Sequence, residues 1–244
     1  MKITIPELED LSWFPSKLRQ MQMEFIGFMV VFLKVYEPVL NKINKALEKS
    51  TTRNILDLCS GSGEPIRNLS KLGIHVDSII LSDLYPQTNL ESANISWHSE
   101  PINALELHNE LDGMRTMFNA YHHFNDEEKL KILQSHGTKG IFIAEILQPN
   151  LFNLIKIIFT TVVGQLIFTP FIKPFSFQRL LFTYLIPINL ITVTWDGIIS
   201  VLKSQNPETM FKQASDSLNF GYYFDSGVSG PFWARVSWLY VIKD

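Results

Sequence analysis

The sequence predicts an α/β fold in which a largely parallel sheet is covered by helices on both faces. Three observations predict it: short, wholly apolar runs recur through residues 51–150, helical segments separate several of them, and a glycine-containing turn joins the first run to a helix. Strands buried on both faces read as unbroken hydrophobic runs because neither side meets water. In such sheets ligands bind beyond the carboxyl ends of the strands.

Taken in order, Leu18, Met21, Phe25, Phe28, Met29 and Phe32 recur at spacings of three and four, which predicts an amphipathic helix over residues 17–36. Pro38 is tolerated at the first position of a second helix running through Leu47, with Lys42, Lys45 and Lys49 toward water. The first strand follows Arg53, passes through Ile55 and Leu56 and ends at Asp57 and Leu58. Further strands are expected over 78–81, ending near Asp83, and over 95–98, 116–120 and 141–146, with a helix over 126–135 before the last. Residues 233–242 alternate and favour β structure, consistent with strands added at one edge.

Two later stretches are unusual. Residues 151–172 carry one formal charge, Lys156, and residues 180–194 carry none. Asn153, Gln165, Pro170 and Pro187 interrupt runs that otherwise approach the ~20 apolar residues of a bilayer-spanning helix. A core helix with a cover over the site is expected; in-plane attachment to a membrane surface, at the inner face, and a true bilayer span are the alternatives. The expected organisation is an N-terminal helical lid or cap (1–50), a ligand-binding core (51–150), a hydrophobic helical insertion or cover (151–205) and C-terminal strands completing the sheet (206–244).

Composition narrows the function. Against 21 Lys and Arg stand 24 Asp and Glu, a formal charge of -3, so the chain lacks the basic footprint of a nucleic-acid binder. Cys59 is the single cysteine and permits no internal disulfide. The first fifteen residues carry acids and a proline instead of a basic and then apolar leader, so a cytoplasmic address is expected. Charged residues reach 18%, below the roughly 25% of average proteins, and there are 18 Phe.

The most informative stretch is the run from Asn54 to Leu69, in which a strand ends at Asp57 and Gly61 and Gly63 precede a helix. Bare backbone there lets a ligand approach while a helix N-terminus points at it. Twenty residues beyond Gly63, Asp83 stands where a carboxylate can accept both hydroxyls of a ribose. Ile66 occupies the place of the third glycine of a dinucleotide fingerprint, and no phosphate loop of the GxxxxGK type occurs. Turn and acid together suggest an adenosine-containing cofactor.

The segments ILDLCSGSGEP and LSDLYPQ resemble motifs I and II of class I S-adenosylmethionine-dependent methyltransferases, with Cys59 where those enzymes usually carry the first glycine of DLGxGxG. The segments RTMFNAYHHF and TYLIPINLITVTWDGIISVLK resemble a bacterial subgroup, so that the likeness covers most of residues 54–203. The resemblance implies a Rossmann-like fold with a mostly parallel seven-stranded sheet, N-terminal helices and a hydrophobic cover after the fifth strand. It implies that S-adenosyl-L-methionine is bound by Asp57, Cys59, Ser60, Gly61, Gly63, Asp83, Leu84, Asn103, Ala104 and Asn119. Asp57 would sit near its amino-acid end, Asp83 at the ribose, and Asn103 and Ala104 at the adenine.

The expected activity is methyl transfer to an apolar small-molecule or lipid-like acceptor, by in-line displacement with S-adenosyl-L-homocysteine as product. The protein must position, desolvate and sometimes deprotonate the acceptor. His122 and His123 follow a strand at the expected site edge, and Glu145 ends another, so these three are the candidates for a general base. Trp13, Tyr121, Trp195 and Asp196 are the candidates for acceptor contact; Trp13 and Phe14 would act as a lid or cap the first helix, and Asp196 would touch substrate or pair with Lys203. His122, His123, Glu145 and Asp196 lack the spacing of any metal motif, so no catalytic metal is expected. A non-catalytic cofactor-binding or membrane-associated module and an NAD-dependent dehydrogenase are the competing classes.

Overall fold

The computed structural model describes residues 5–86, 92–106, 111–134, 139–218 and 221–244. Two helices, α1 (Ser16–Phe32) and α2 (Leu40–Ser50), precede β1 (Asn54–Leu58). There follow α3 (Glu64–Lys71), β2 (Ser78–Leu81), β3 (Ile95–Trp97), β4 (Met114–Phe118), α4 (Asp126–Gln134) and β5 (Ile141–Glu145). The second half comprises α5 (Leu151–Phe168), α6 (Phe177–Leu180), α7 (Ile188–Lys203), α8 (Pro207–Ser217), β6 (Tyr222–Ser229) and β7 (Val236–Lys243).

The strands form one seven-stranded sheet in the order β3-β2-β1-β4-β5-β7-β6. The first five are parallel, and β7 enters antiparallel between β5 and β6. From β1 the chain runs outward to β2 and β3 and then returns to place β4 on the other side of β1. Parallel connections leave in opposite directions there, opening a crevice at the carboxyl ends of β1 and β4.

Neighbouring strand residues feed opposite cores, the physical reason the strands read as continuous apolar runs. Ile55 packs in one cluster with Ile43, Ile66 and Phe142, while Leu56 packs in the other with Met117, Ile132 and Met210. Both are fully buried, and each such side chain contributes roughly 1.5–3 kcal/mol relative to exposure.

Boundaries moved where backbone geometry intervened. The strand expected over 116–120 is Met114–Phe118, because Asn119 turns into the left-handed region (φ 52°) and ends it. The first helix stops at Phe32, with Lys34 at φ 56° just beyond. Of the lysines expected to face water, Lys42 lies 4.8 Å from the Trp238 ring centroid and Lys49 3.7 Å from that of Tyr223, so two of them cover edge-strand aromatics. The uncharged run over 180–194 is a bent element: α6 passes through a π-helical turn (Leu181–Leu185), and the axis bends 79° before α7. Helix α8 has no counterpart in the sequence reading; Asn206 caps it by accepting from the Thr209 amide. Residue 135, the last of the helix expected over 126–135, lies outside the described residues.

Candidate active site

A cavity of about 440 Å³ lies at the carboxyl ends of β1, β2 and β4, within the range of small-molecule sites. Its floor is the turn after β1. Ser60 donates from its hydroxyl to the Asp57 carbonyl, and the Gly63 amide donates to the Ser60 carbonyl at 2.6 Å, folding the turn back on itself. Cys59 and Gly61 both sit at φ 54°. The Cys59 conformation is one that glycine adopts without penalty and an L side chain does not, which gives the glycine usual in DLGxGxG its physical reason.

Gly61 opens toward the cavity, where an added Cβ would meet only Met23 of α1, at 3.8 Å. Gly63 does not line the cavity. It precedes α3 at φ 71°, and its missing Cβ would stand 2.8 Å from Leu81 Cδ1, so this glycine packs helix on sheet.

Asp83, just after β2, accepts from the Gly61 amide at 2.9 Å and from the Tyr85 amide at 3.0 Å, one bond to each carboxylate oxygen. A carboxylate offers about four lone-pair sites, so two remain for a ligand. At the end of β4, the buried Asn119 Oδ1 has no hydrogen-bond partner and lines the same cavity. An orphaned buried acceptor costs about 1–3 kcal/mol unless something donates to it.

Of the residues expected to bind cofactor, Cys59, Ser60, Gly61, Asp83, Leu84 and Asn119 line the cavity. Asp57 lies beneath it, bonded to the Thr116 hydroxyl from the neighbouring strand; burial outweighs the Thr116 and Ser60 bonds and pushes its carboxyl up to about 7. Asn103 and Ala104 are away from the lining: Asn103 accepts from the Leu105 amide, and Ala104 packs in the core under the sheet.

The two histidines separate as neighbours on a tight turn do. His123 lines the cavity, its Nδ1 3.0 Å from Asp10, whereas His122 is buried with its Nδ1 2.6 Å from Glu145. Glu145 also accepts from the Tyr121 amide at 2.8 Å. On its other side, His122 Nε2 is 3.8 Å from Glu7, which in turn accepts from Ser200 and Lys203. Burial alone would lower the His122 pKa, but Glu145 and Glu7 outweigh it and push it well above the usual histidine value, favouring the imidazolium. Burial would raise Glu7; His123 and His122 hold it well below the usual carboxylate range. His123, with ring centroid 4.4 Å from that of His122, is likewise raised, burial and His122 being outweighed by Glu7 and Asp10.

Glu7, His122 and His123 also bring one ligand atom each within 4.8 Å of one another. The Lys203 ammonium, 3.2 Å from Glu7, already supplies that cluster with a cation.

The remaining candidates are dispersed. Tyr121 is buried outside the cavity lining, Trp13 is exposed beside Phe14, and Trp195 is exposed on α7. Asp196 is a clamp: it accepts from the Leu8 and Glu9 amides and from Gln22, tying the N-terminal segment to α7. Burial outweighs these three bonds and raises its pKa.

That clamp delivers residues the sequence reading missed. Glu9 and Asp10 line the cavity, with Arg19, Met23 and Gly27 of α1. Arg19 donates to the Glu9 and Leu11 carbonyls and stacks 4.1 Å from the Tyr85 ring centroid, and it is the one Lys or Arg among the described lining residues. Gly27 was the available signal. A glycine within a helix needs a reason, and here an added Cβ would stand 2.4 Å from Ser62 Oγ of the turn.

The sheet order and the crevice at its switch point define the Rossmann-like fold of class I methyltransferases. No family model matches the sequence, and no curated protein matches it. Among solved structures, the chain is similar to the plantazolicin methyltransferase BpumL in complex with SAH, with TM-score 0.58 and 11% identity over 97% of this chain and 94% of that one. It is also similar to human N-acetylserotonin methyltransferase in complex with SAM, with TM-score 0.48 and 14% identity over 88% of this chain. An O-methyltransferase from neocarzinostatin biosynthesis gives TM-score 0.47 and 12% identity, again over 88% of this chain. The chain spans about half the length of the last two proteins, 55% and 56%.

Proposed function

We propose that this chain is an S-adenosylmethionine-dependent methyltransferase acting on an apolar small-molecule acceptor. One observation carries the reading: the Gly61 backbone, the Asp83 carboxylate and the unpartnered Asn119 oxygen converge on one cavity from the ends of three adjacent strands. Asp83 has the lone pairs to accept ribose hydroxyls, Asn119 Oδ1 awaits a donor, and Arg19 would meet the carboxylate of the methionine moiety.

When bound, S-adenosylmethionine supplies a methyl group on a sulfonium, and its sulfur keeps the electron pair of the broken C–S bond. What remains for the protein is orientation, exclusion of water and removal of one proton. His123 is the base candidate that faces the cavity, with Asp10 orienting its ring. It takes the proton as the acceptor oxygen, carbon or sulfur forms its bond to methyl. His122 and Glu145 act behind it: a buried imidazolium under the His123 ring opposes its protonation and keeps its basicity from climbing further. Met23, Ile26, Val30, Phe118 and Phe124 form the apolar part of the wall and support an apolar acceptor.

Calorimetric titration with S-adenosyl-L-homocysteine and with NADH tests this. Binding of the first alone is expected. Binding of NADH alone would select a dehydrogenase, and binding of S-adenosyl-L-homocysteine with no methyl transfer across a panel of apolar alcohols, phenols and thiols would leave a non-catalytic module.

A further inference from the structure

Helix α5 and the first half of α7 are built inside out. In a water-soluble protein a surface helix turns apolar residues inward and polar ones outward. On α5 the buried residues are Asn153, Thr161, Gly164 and Gln165, while Phe159 and Ile167 are more than half exposed. On the first half of α7, Asn189, Thr192 and Asp196 are buried with Val193 while Ile191 is 62% exposed; the second half buries Ile199 and Val201 in the ordinary way.

The polar groups bond across the pair: Asn189 donates to Gln165 at 2.8 Å and Thr194 to Thr161 at 3.0 Å. Gly197 lets the helices close, since a Cβ there would stand 2.8 Å from Ile157. Small residues and interhelical hydrogen bonds inside, with large apolar side chains outside, are how helices pack when their surroundings are hydrocarbon.

The exposure is concentrated. Of the 30 large apolar side chains exposed among the described residues, 17 fall between Leu151 and Trp195, and Phe177 at the start of α6 and Leu185 at the bend are 79% and 76% exposed. No Asp or Glu occurs between Glu145 and Asp196, where the only charges are Lys156, Lys173 and Arg179. Arg179 is spent internally on Glu24 and on the Ile172 and Pro174 carbonyls. A face that is apolar with only cations suits anionic lipid.

We infer that the outer face of α5, α6 and α7 docks into the surface of an anionic lipid bilayer. It lies in the plane of the interface and does not cross. The 21-residue stretch Leu151–Phe171 is long and apolar enough to span, yet Gly164 packs against Phe25 and Met29 of α1, and Arg179 and Asp196 bind Glu24 and Gln22 of the same helix. The inner side is thereby fastened to the helix that walls the cavity. The inference is independent of the methyl-transfer reading, because it concerns a surface that needs no cofactor.

The test is flotation of the purified full chain, without cofactor or acceptor, with vesicles of phosphatidylcholine and phosphatidylglycerol. The wild type is expected to float, and the F177E/L185E/I191E variant, whose three sites are all exposed, to lose on the order of tenfold or more in partitioning. Circular dichroism checks that the variant is folded. As a second measurement, brominated lipid should quench the wild type more than W195F, because Trp195 lies on this face. A wild type that stays with the aqueous fraction, or a folded variant that floats equally well, overturns the inference. So does a lipid-free dimer in sedimentation that the same variant dissociates while no flotation occurs, which would make the face an interface between copies.

Discussion

Replacing Asp83 by Asn is the sharpest perturbation of the proposed cofactor site, since it keeps shape and removes charge. Both carboxylate oxygens already accept one backbone amide, from Gly61 and Tyr85, and offer their remaining lone pairs to the cavity. An amide nitrogen at either place faces an N–H it cannot accept from and no longer takes a ribose hydroxyl. Hydrogen bonds to charged groups are worth roughly 1.5–3 kcal/mol, so losing one or two weakens binding by ~3 kcal/mol, or roughly a hundredfold. By linkage, S-adenosyl-L-homocysteine at ~100 times its Kd stabilises the wild type by ~2.7 kcal/mol, a Tm rise of roughly 5–10 °C for a chain of this size. The variant at the same concentration would keep only ~0.4 kcal/mol, a rise of about 1 °C. Differential scanning fluorimetry reads the shift and calorimetry the Kd. An Asp83→Asn protein that binds as tightly as wild type would refute the assignment of this carboxylate to the ribose.

Three further predictions follow from named contacts. His123→Gln should lower turnover of an acceptor that must lose a proton by ~10²–10⁴ and leave S-adenosyl-L-homocysteine affinity unchanged, and wild-type kcat/KM should rise with pH through a value above 6.5; a flat profile would exclude this base. Because Glu145 and Glu7 raise the folded-state pKa of His122 above its ordinary 6.5, its contribution to stability is full below pH 6.5 and fades as pH rises through the raised value. Glu7, lowered by the same network, contributes above pH 4.5 and loses that contribution as pH falls. Denaturant midpoints should decline on both sides of that window, and H122Q should lose the alkaline decline. Gly63→Ala should destabilise by ~1–3 kcal/mol through its left-handed backbone and the 2.8 Å approach to Leu81, whereas Gly73→Ala, with open space at its Cβ, should suffer only the backbone part; equal losses would contradict this.

What was legible in the sequence was what local chemistry dictates. Ile55 to Leu58 reads as a buried strand because no polar residue but Asp57 interrupts it, and the glycines after it read as a turn because glycine opens backbone conformations closed to other residues. Asp83 was legible by spacing, since one strand-helix-strand unit fixes how far the next strand end lies in the chain. His123 was half legible: two adjacent histidines cannot both face one cavity, but nothing in the pair HH says which does.

Tertiary structure decided the rest. Glu9 and Asp10 reach the cavity because Asp196, nearly two hundred residues away in the chain, holds the Leu8 and Glu9 amides, and Arg19 of α1 meets them there by donating to the Glu9 carbonyl. The raised basicity of His122 comes from Glu145 and Glu7, which are remote from it in sequence and are brought together by the sheet and by that clamp. Likewise the 151–195 segment announced its greasiness in composition, but only packing settled that its polar side chains turn inward. Short-range order is written in periodicity and turn chemistry, which act over a few residues. The charge environment of a side chain is set by groups within several ångströms in space, and only the folded chain determines which groups those are.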